Sequence, residues 1–482
     1  MLASLRFIAF CSALCLPNVL LGPMVSIASD KKLAITQEQE KEPKSERHKA
    51  GKSASEGRQV RLRAALAHPT MVLDDRKRSE NHLRVALNGF DLPKSDQRAE
   101  VNLAIVIDRS GSMQGDKINN ARRAAMAAID RLSDEDIISV VVYDTSVEVI
   151  VPATKATDRE SIKQRIQQLQ ANGNTALYEG VKKGASEVRK FHSDRRVNRV
   201  ILLSDGLANV GPTTPHELAE LGRSLSDEGT SISTMGLGLS YNEDLMSQLA
   251  VAGGGTHTFI ESADALAEVF QREFDDVMSV VAQDFKIEIK LAKSVRPVKV
   301  LNYPAEIDGQ NVSIELCQIY ARQERYFVLE LEIEHGADGS SRPAADVAVT
   351  YQNAITHVKE TLKASVEVKF SADKELAERS IDKEVVASCV IQSANERNTR
   401  ATDLRDGGDI DGARRLLLEN VDLFEMQSSR LGDESLRERA KLNASQADRL
   451  SDPDWNRQRK AMRESQLGDA LQPSYSGKGT QR

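Results

Sequence analysis

The residues whose types and spacing best suit chemistry lie in the run 102–112, which reads NLAIVIDRSGS. Asp108, Ser110 and Ser112 stand at alternate positions, one carboxylate and two hydroxyls on a tight turn. These are hard oxygen donors of the kind that Mg²⁺, Mn²⁺ or Ca²⁺ takes. Two more such groups follow. Thr175 comes after Gly173 and Asn174, and Asp205 lies in the run LLSDG at 202–206. Each residue also has a plainer reading. Ser110 and Ser112 could cap the helix that follows, Asp205 could cap its own turn, and Asp108 could pair with Lys117.

Positioning these groups requires strands that end beside one another. Residues 103–107 form a continuous apolar run, the pattern of a strand buried on both faces in a parallel sheet. Further strands are expected at 137–143, 147–151, 200–203, 231–236 and 256–260. Helices are expected between them at 118–132, 161–169, 176–189, 215–227, 242–251 and 263–280. This alternation is that of an α/β, doubly wound, mostly parallel six-stranded sheet over 98–283. The connection from 143 to 147 is too short for a crossover, so 147–151 should be an antiparallel edge strand. Asp108, Thr175 and Asp205 would all lie at the carboxyl edge, where open α/β sheets bind ligands.

The remaining chain frames this unit. Residues 1–28 have the form of a secretory signal: Arg6, the mostly apolar run 7–21, and Ser26-Ile27-Ala28 as a cleavage site. Export to the periplasm, cell surface or medium is therefore expected, with an uncleaved membrane anchor as the other reading. Residues 29–58 are polar and charged, as in a disordered linker. Alternating apolar residues over 59–97 and again over 284–372 read as an antiparallel, β-sandwich-like layer, with the α/β unit inserted between the two parts. Residues 373–450 turn helical, with 406–409 (DGGD) between two amphipathic helices, and 451–482 read as a disordered tail. The run from Asp406 to Gly412 also has a faint likeness to a Ca²⁺ loop, but Gly407 and Leu418 would fill ligand positions, so a hairpin turn is expected. The mature chain would keep Cys317 and Cys389, either paired or as two free thiols. His192, His216 and His257 show no metal-ligand spacing and read as surface or turn residues.

The 482 residues carry a formal net charge of −7 and only 4% aromatics, which argues against nucleic acid as the partner. Past residue 28 no stretch approaches the apolar length of a membrane span.

The chain from about 100 to 283 resembles the von Willebrand factor A (VWA) domain family, over more than a third of its length. Asp108, Ser110 and Ser112 match the D-x-S-x-S element of the family's metal-ion-dependent adhesion site, Thr175 its separate threonine, and Asp205 its D-G aspartate. The resemblance implies a divalent cation, Mg²⁺ first and Mn²⁺ or Ca²⁺ as alternatives. Ser110, Ser112 and Thr175 would bind it through their hydroxyls, and Asp108 and Asp205 partly through waters. Such an ion keeps its appetite for an anion, the Glu or Asp carboxylate of a protein partner. The expected function is therefore an exported, non-enzymatic binding protein. A metal-dependent hydrolase and a structural scaffold that keeps the ion for stability are the alternatives.

Overall fold

The computed structural model describes residues 58–74, 77–92 and 98–472. The expected signal segment and almost all of the expected linker lie outside the described residues. The described residues open with β1 (Arg61–Leu66), β2 (Thr70–Val72) and β3 (Arg78–Asn88). The α/β unit follows as β4 (Glu100–Asp108), α1 (Asp116–Ile129), β5 (Ile137–Tyr143), β6 (Val147–Lys155), α2 (Arg159–Gln167), α3 (Leu177–Arg189), β7 (Arg196–Ser204), α4 (Pro215–Asp227), β8 (Ser231–Leu237), α5 (Glu243–Ala252), β9 (Gly254–Ile260) and α6 (Leu266–Met278).

Its sheet runs in the order β6-β5-β4-β7-β8-β9, parallel throughout except for the antiparallel edge strand β6. This is the doubly wound sheet expected from the apolar runs. Strand β4 lies at the centre and is buried along almost its whole length. Leu103, Ile105 and Ile107 pack against α1, α2 and α6. Ala104 and Val106 face α3, α4 and α5 on the other side. An apolar residue at every position is what burial on both faces demands.

The chain then returns to β structure with β10 (Val280–Leu291), β11 (Val295–Val300), β12 (Glu306–Asp308), β13 (Asn311–Tyr320), β14 (Glu324–Glu334), β15 (Ser341–Asn353) and β16 (Lys359–Ser371). One sheet has the order β1-β3-β14-β11 and the other β12-β13-β10-β15-β16-β2. Strand β3 pairs with β14 over its full length, from Asn88 opposite Glu324 to Arg78 opposite Glu334. Leu83, Val85 and Leu87 of β3 share one core with Phe285, Ile287 and Ile289 of β10. The α/β unit is thus an insertion between β3 and β10.

Helices α7 (Lys374–Arg379), α8 (Lys383–Asp406), α9 (Ile410–Leu431), α10 (Glu434–Arg449) and α11 (Trp455–Leu471) complete the described residues. Val385, Val386 and Val390 of α8 pack on Val328 and Leu301 of the sandwich. The run 406–412 is a helix-hairpin turn, in which Asp409 caps α9 by accepting from the Gly412 N–H at 2.8 Å. The expectation of a disordered tail over 451–482 is corrected over 455–471 by α11, while 473–482 lie outside the described residues. This helix is polar because its contacts are polar. Arg459 bridges Glu243, Asp244 and Asp406, and the fully buried Lys460 pairs with Glu243, donates to the Tyr241 carbonyl at 2.8 Å and lies 3.9 Å from the centre of the Tyr241 ring. A helix stabilised this way leaves no apolar stripe for a sequence reading to find. No described helix is long and apolar enough to cross a membrane.

Cys317 and Cys389 are both free thiols. They sit in different modules, Cys317 on β13 with its Sγ 2.9 Å from Ser226 Oγ, and Cys389 buried in α8. His257 is another correction. It is buried on β9, with Nδ1 2.9 Å from Thr234 Oγ1 and Nε2 3.2 Å from the Tyr241 hydroxyl.

The α/β unit and the sandwich are joined by a buried polar network. Arg199, fully buried on β7, donates to Glu273 at 2.8 Å, Ser233 at 2.6 Å and the Tyr320 hydroxyl of β13 at 3.0 Å. Glu273→Ala would strand the guanidinium, so a loss of about 3–5 kcal/mol is expected in urea denaturation.

A second prediction concerns His257, which burial holds neutral down to about pH 3, with Lys460 acting in the same sense. The unfolded imidazole takes its proton near 6.5, so the unfolded chain binds more protons below that pH. The stability contributed by the neutral ring is complete above about pH 6.5 and is lost as pH falls towards 3. The stability advantage of wild type over His257→Gln should therefore shrink between pH 6.5 and 4, read from urea midpoints.

Candidate metal centre

Strands β4 and β7 are adjacent and parallel, so both end at one rim of the sheet. Asp108 is the last residue of β4, and Asp205 directly follows β7. Both side chains are fully buried. Ser110 leads into a short 3₁₀ turn, Gly111–Met113, which carries Ser112. Neither serine caps a helix. Ser110 makes no side-chain capping bond, and the residue before α1 is Gly115.

The loop carrying Thr175 is laced onto this turn through its backbone. The Gly111 N–H donates to the Gly173 carbonyl at 3.0 Å, and the Asn172 N–H to the Arg109 carbonyl at 2.7 Å. Thr175 itself is clamped by Asn209 in the loop after Asp205. Its N–H donates to Asn209 Oδ1 at 2.9 Å, and its carbonyl accepts from the Asn209 N–H at 3.2 Å. Three segments far apart in the chain are thereby held in register.

All five residues singled out by the spacing come together here. Ser110 Oγ lies 3.0 Å from Ser112 Oγ. Ser112 Oγ donates to Asp205 Oδ1 at 2.7 Å. A Cβ placed on Gly206 would stand 3.2 Å from Thr175 Oγ1, 3.3 Å from Ser112 Oγ and 3.8 Å from Ser110 Oγ. The three hydroxyls therefore converge on one small cradle, which stays open because residue 206 has no side chain. Adjacent oxygens around Mg²⁺, at bonds of about 2.1 Å and right angles, are about 3 Å apart. The Ser110–Ser112 separation matches that edge, and the donor set is all oxygen, so the residues fit a small hard cation. Ser112 is exposed, whereas Ser110 and Thr175 are buried, so the cradle opens to solvent on the Ser112 side.

Asp108 does not touch Lys117. Its Oδ1 accepts from the Ser110 N–H at 2.8 Å and its Oδ2 from the Ser204 hydroxyl at 2.6 Å. Burial pushes its carboxyl up to about 6. The neighbouring Asp205 adds to the rise, while the bonds from Ser204 and Ser110 oppose it. A cation beside this carboxylate would reverse that burden. Lys117 pairs instead with Asp205 Oδ2.

Sequence reasoning missed Ser204, Asn209 and the true partner of Lys117. Ser204 had a visible signal, as a hydroxyl at the end of the strand adjacent to Asp108. Asn209 had none, because its role depends on two loops meeting. Among the described residues, Glu80, His82 and Glu330 also cluster within 4.8 Å of one another, but on the sandwich strands β3 and β14.

Residues 102–272 match the von Willebrand factor type A domain family. This segment is a VWA domain. An uncharacterized Synechocystis protein is 28% identical over 266 residues, which cover 53% of this chain and 62% of that one. Inter-alpha-trypsin inhibitor heavy chain H3 of Mus musculus is 25% identical over 259 residues, 51% of this chain and 29% of its own. The matched region thus spans less than two thirds of each of these relatives, 62% of the Synechocystis protein and 29% of the mouse one. A solved von Willebrand factor type A structure from Catenulispora acidiphila, 18% identical, covers 86% of this chain and 97% of its own at a TM-score of 0.67. The fold of the VWA domain together with its flanking modules is thus shared. VWA domains are mostly non-enzymatic binding modules for protein ligands and commonly hold a divalent metal.

Gly206→Ala should crowd the cradle without straining the backbone. Its thermal stability in EDTA is expected to stay close to that of wild type, while Mg²⁺ affinity by calorimetry falls about 10–100-fold, as for other changes beside a metal's ligands.

Proposed function

We propose that this chain is an exported, non-enzymatic binding protein. Its VWA domain captures a Glu or Asp side chain of a protein partner through a divalent cation held at Asp108, Ser110, Ser112, Thr175 and Asp205. Mg²⁺ is the first choice, since hard, neutral hydroxyl oxygens suit it, and Mn²⁺ or Ca²⁺ are the alternatives. The observation that carries this reading is the convergence of three hydroxyls on one cradle beside two buried carboxylates, Asp205 accepting from the Ser112 hydroxyl and Asp108 from the Ser110 N–H. Ser110, Ser112 and Thr175 would hold the ion. Asp108 and Asp205 would orient the hydroxyls and balance its charge. The bound ion would supply an electrophilic centre for an outside carboxylate.

Two further features support binding over turnover. Both Asp108 oxygens are engaged, one by the Ser110 N–H and one by the Ser204 hydroxyl, which leaves that carboxylate poorly placed to act as a general base. Leu207, beside the Asp205–Gly206 turn, is 57% exposed and offers an apolar contact to a partner's surface. Export rests on the pattern of residues 1–28, from Arg6 through the apolar run to Ser26-Ile27-Ala28.

The test combines ion binding with capture. Wild type should bind Mg²⁺ in calorimetry and retain an envelope or medium protein in Mg²⁺ but not in EDTA. Asp108→Ala, and Ser110→Ala with Ser112→Ala, should lose both while keeping the wild-type circular dichroism spectrum. Capture by the double variant in EDTA would overturn the mechanism.

A further inference from the structure

The side chain that faces Asp205 opposite Ser112 is itself a cation. Lys117 projects from the first turn of α1, and its Nζ pairs with Asp205 Oδ2, while Ser112 holds Oδ1. The carboxylate is wholly buried, and the lysine side chain is one-third exposed, so the ammonium reaches in from the rim. Its far wall is built. A Cβ on Gly238, in the loop after β8 and at φ +76°, would lie 4.0 Å from Nζ. The next residue is pinned from the C-terminal helix, where Asn456 donates to the Leu239 carbonyl at 3.0 Å. Two residues further on, Lys460 donates to the Tyr241 carbonyl at 2.8 Å.

We infer that Lys117 is a built-in counter-charge of the candidate metal centre, one that weakens the hold on the cation and strengthens the hold on the anionic ligand. This rests on the ion-binding reading given above. Without an ion, Asp108, Asp205 and Lys117 sum to −1, and Asp205 is not left as a buried unpaired carboxylate, a costly state. With a divalent ion the same three groups leave a net +1. Without the lysine the sum would be zero. The ammonium and the ion share Asp205, so each lowers the other's affinity for it. The surplus charge is neutralised when an outside carboxylate arrives.

Calorimetry with MgCl₂ at constant ionic strength, on the full chain, tests this. Lys117→Met should bind Mg²⁺ at least about fivefold tighter than wild type, because a like charge has been removed from a buried site. The same variant should melt at a lower temperature in EDTA, where Asp205 has lost its partner. Lys117→Arg, which keeps the charge, should stay near wild type in both measurements. Acetate titrated into the Mn²⁺-loaded proteins and followed by water-proton relaxation should bind more weakly to Lys117→Met. Equal or weaker Mg²⁺ binding by a folded Lys117→Met would overturn the inference while leaving the site reading intact. If neither wild type nor Lys117→Met bound Mg²⁺ better than Asp108→Ala, the reading of the site would fail as well.

Discussion

Two carboxylates buried side by side at the rim of a parallel sheet are the constraint around which this chain is arranged. Asp108 and Asp205 are both fully buried, at the ends of adjacent strands, and Asp205 raises the proton affinity of Asp108. Burying charge is costly unless each oxygen is met by a donor. The surroundings supply those donors: the Ser110 N–H and Ser204 hydroxyl on Asp108, and Ser112 and Lys117 on Asp205. One of these bonds also fixes the Ser112 hydroxyl beside the cradle at Gly206, and the Ser110 N–H bond holds the turn that carries both serines. A structure that needed only a stable sheet would gain nothing from acids at these positions.

The domain holding this rim is fastened on several sides. The two-sheet sandwich is one module interrupted by it, since β3 pairs with β14 in one sheet and shares a core with β10 of the other. Arg199 ties β7 to Tyr320 of the sandwich through a buried network. Helix α11 reaches the loop after β8 through Asn456, and Arg457 pairs with Glu261 after β9. The rim is therefore braced by polar contacts made from the C-terminal helices. Buried polar pairs contribute less to net stability than to specifying one arrangement, and fixing loops at this edge is a use that suits them.

Much of this was legible from local pattern. Unbroken apolar runs marked β4, β5 and β7, because strands covered on both faces have no polar side to show. The short link before β6 made it antiparallel. The five oxygen-bearing residues were readable because each stands where a strand ends or a helix begins. What escaped were features with polar signatures. His257 is buried because Thr234 and Tyr241 satisfy both ring nitrogens, and α11 folds because Glu243, Asp244 and Asp406 meet its basic residues.

By itself, the sequence determined the doubly wound sheet, the antiparallel layer around it and the identity of the five candidate ligands. These depend on hydrophobic period and on turns, which act over a few residues. Only the tertiary structure decided which groups face each carboxylate. Lys117 meets Asp205 and leaves Asp108 to Ser204, and Asn209 clamps Thr175. Such pairings join residues tens of positions apart, and their energy exists only once the loops have met, so no local pattern encodes them.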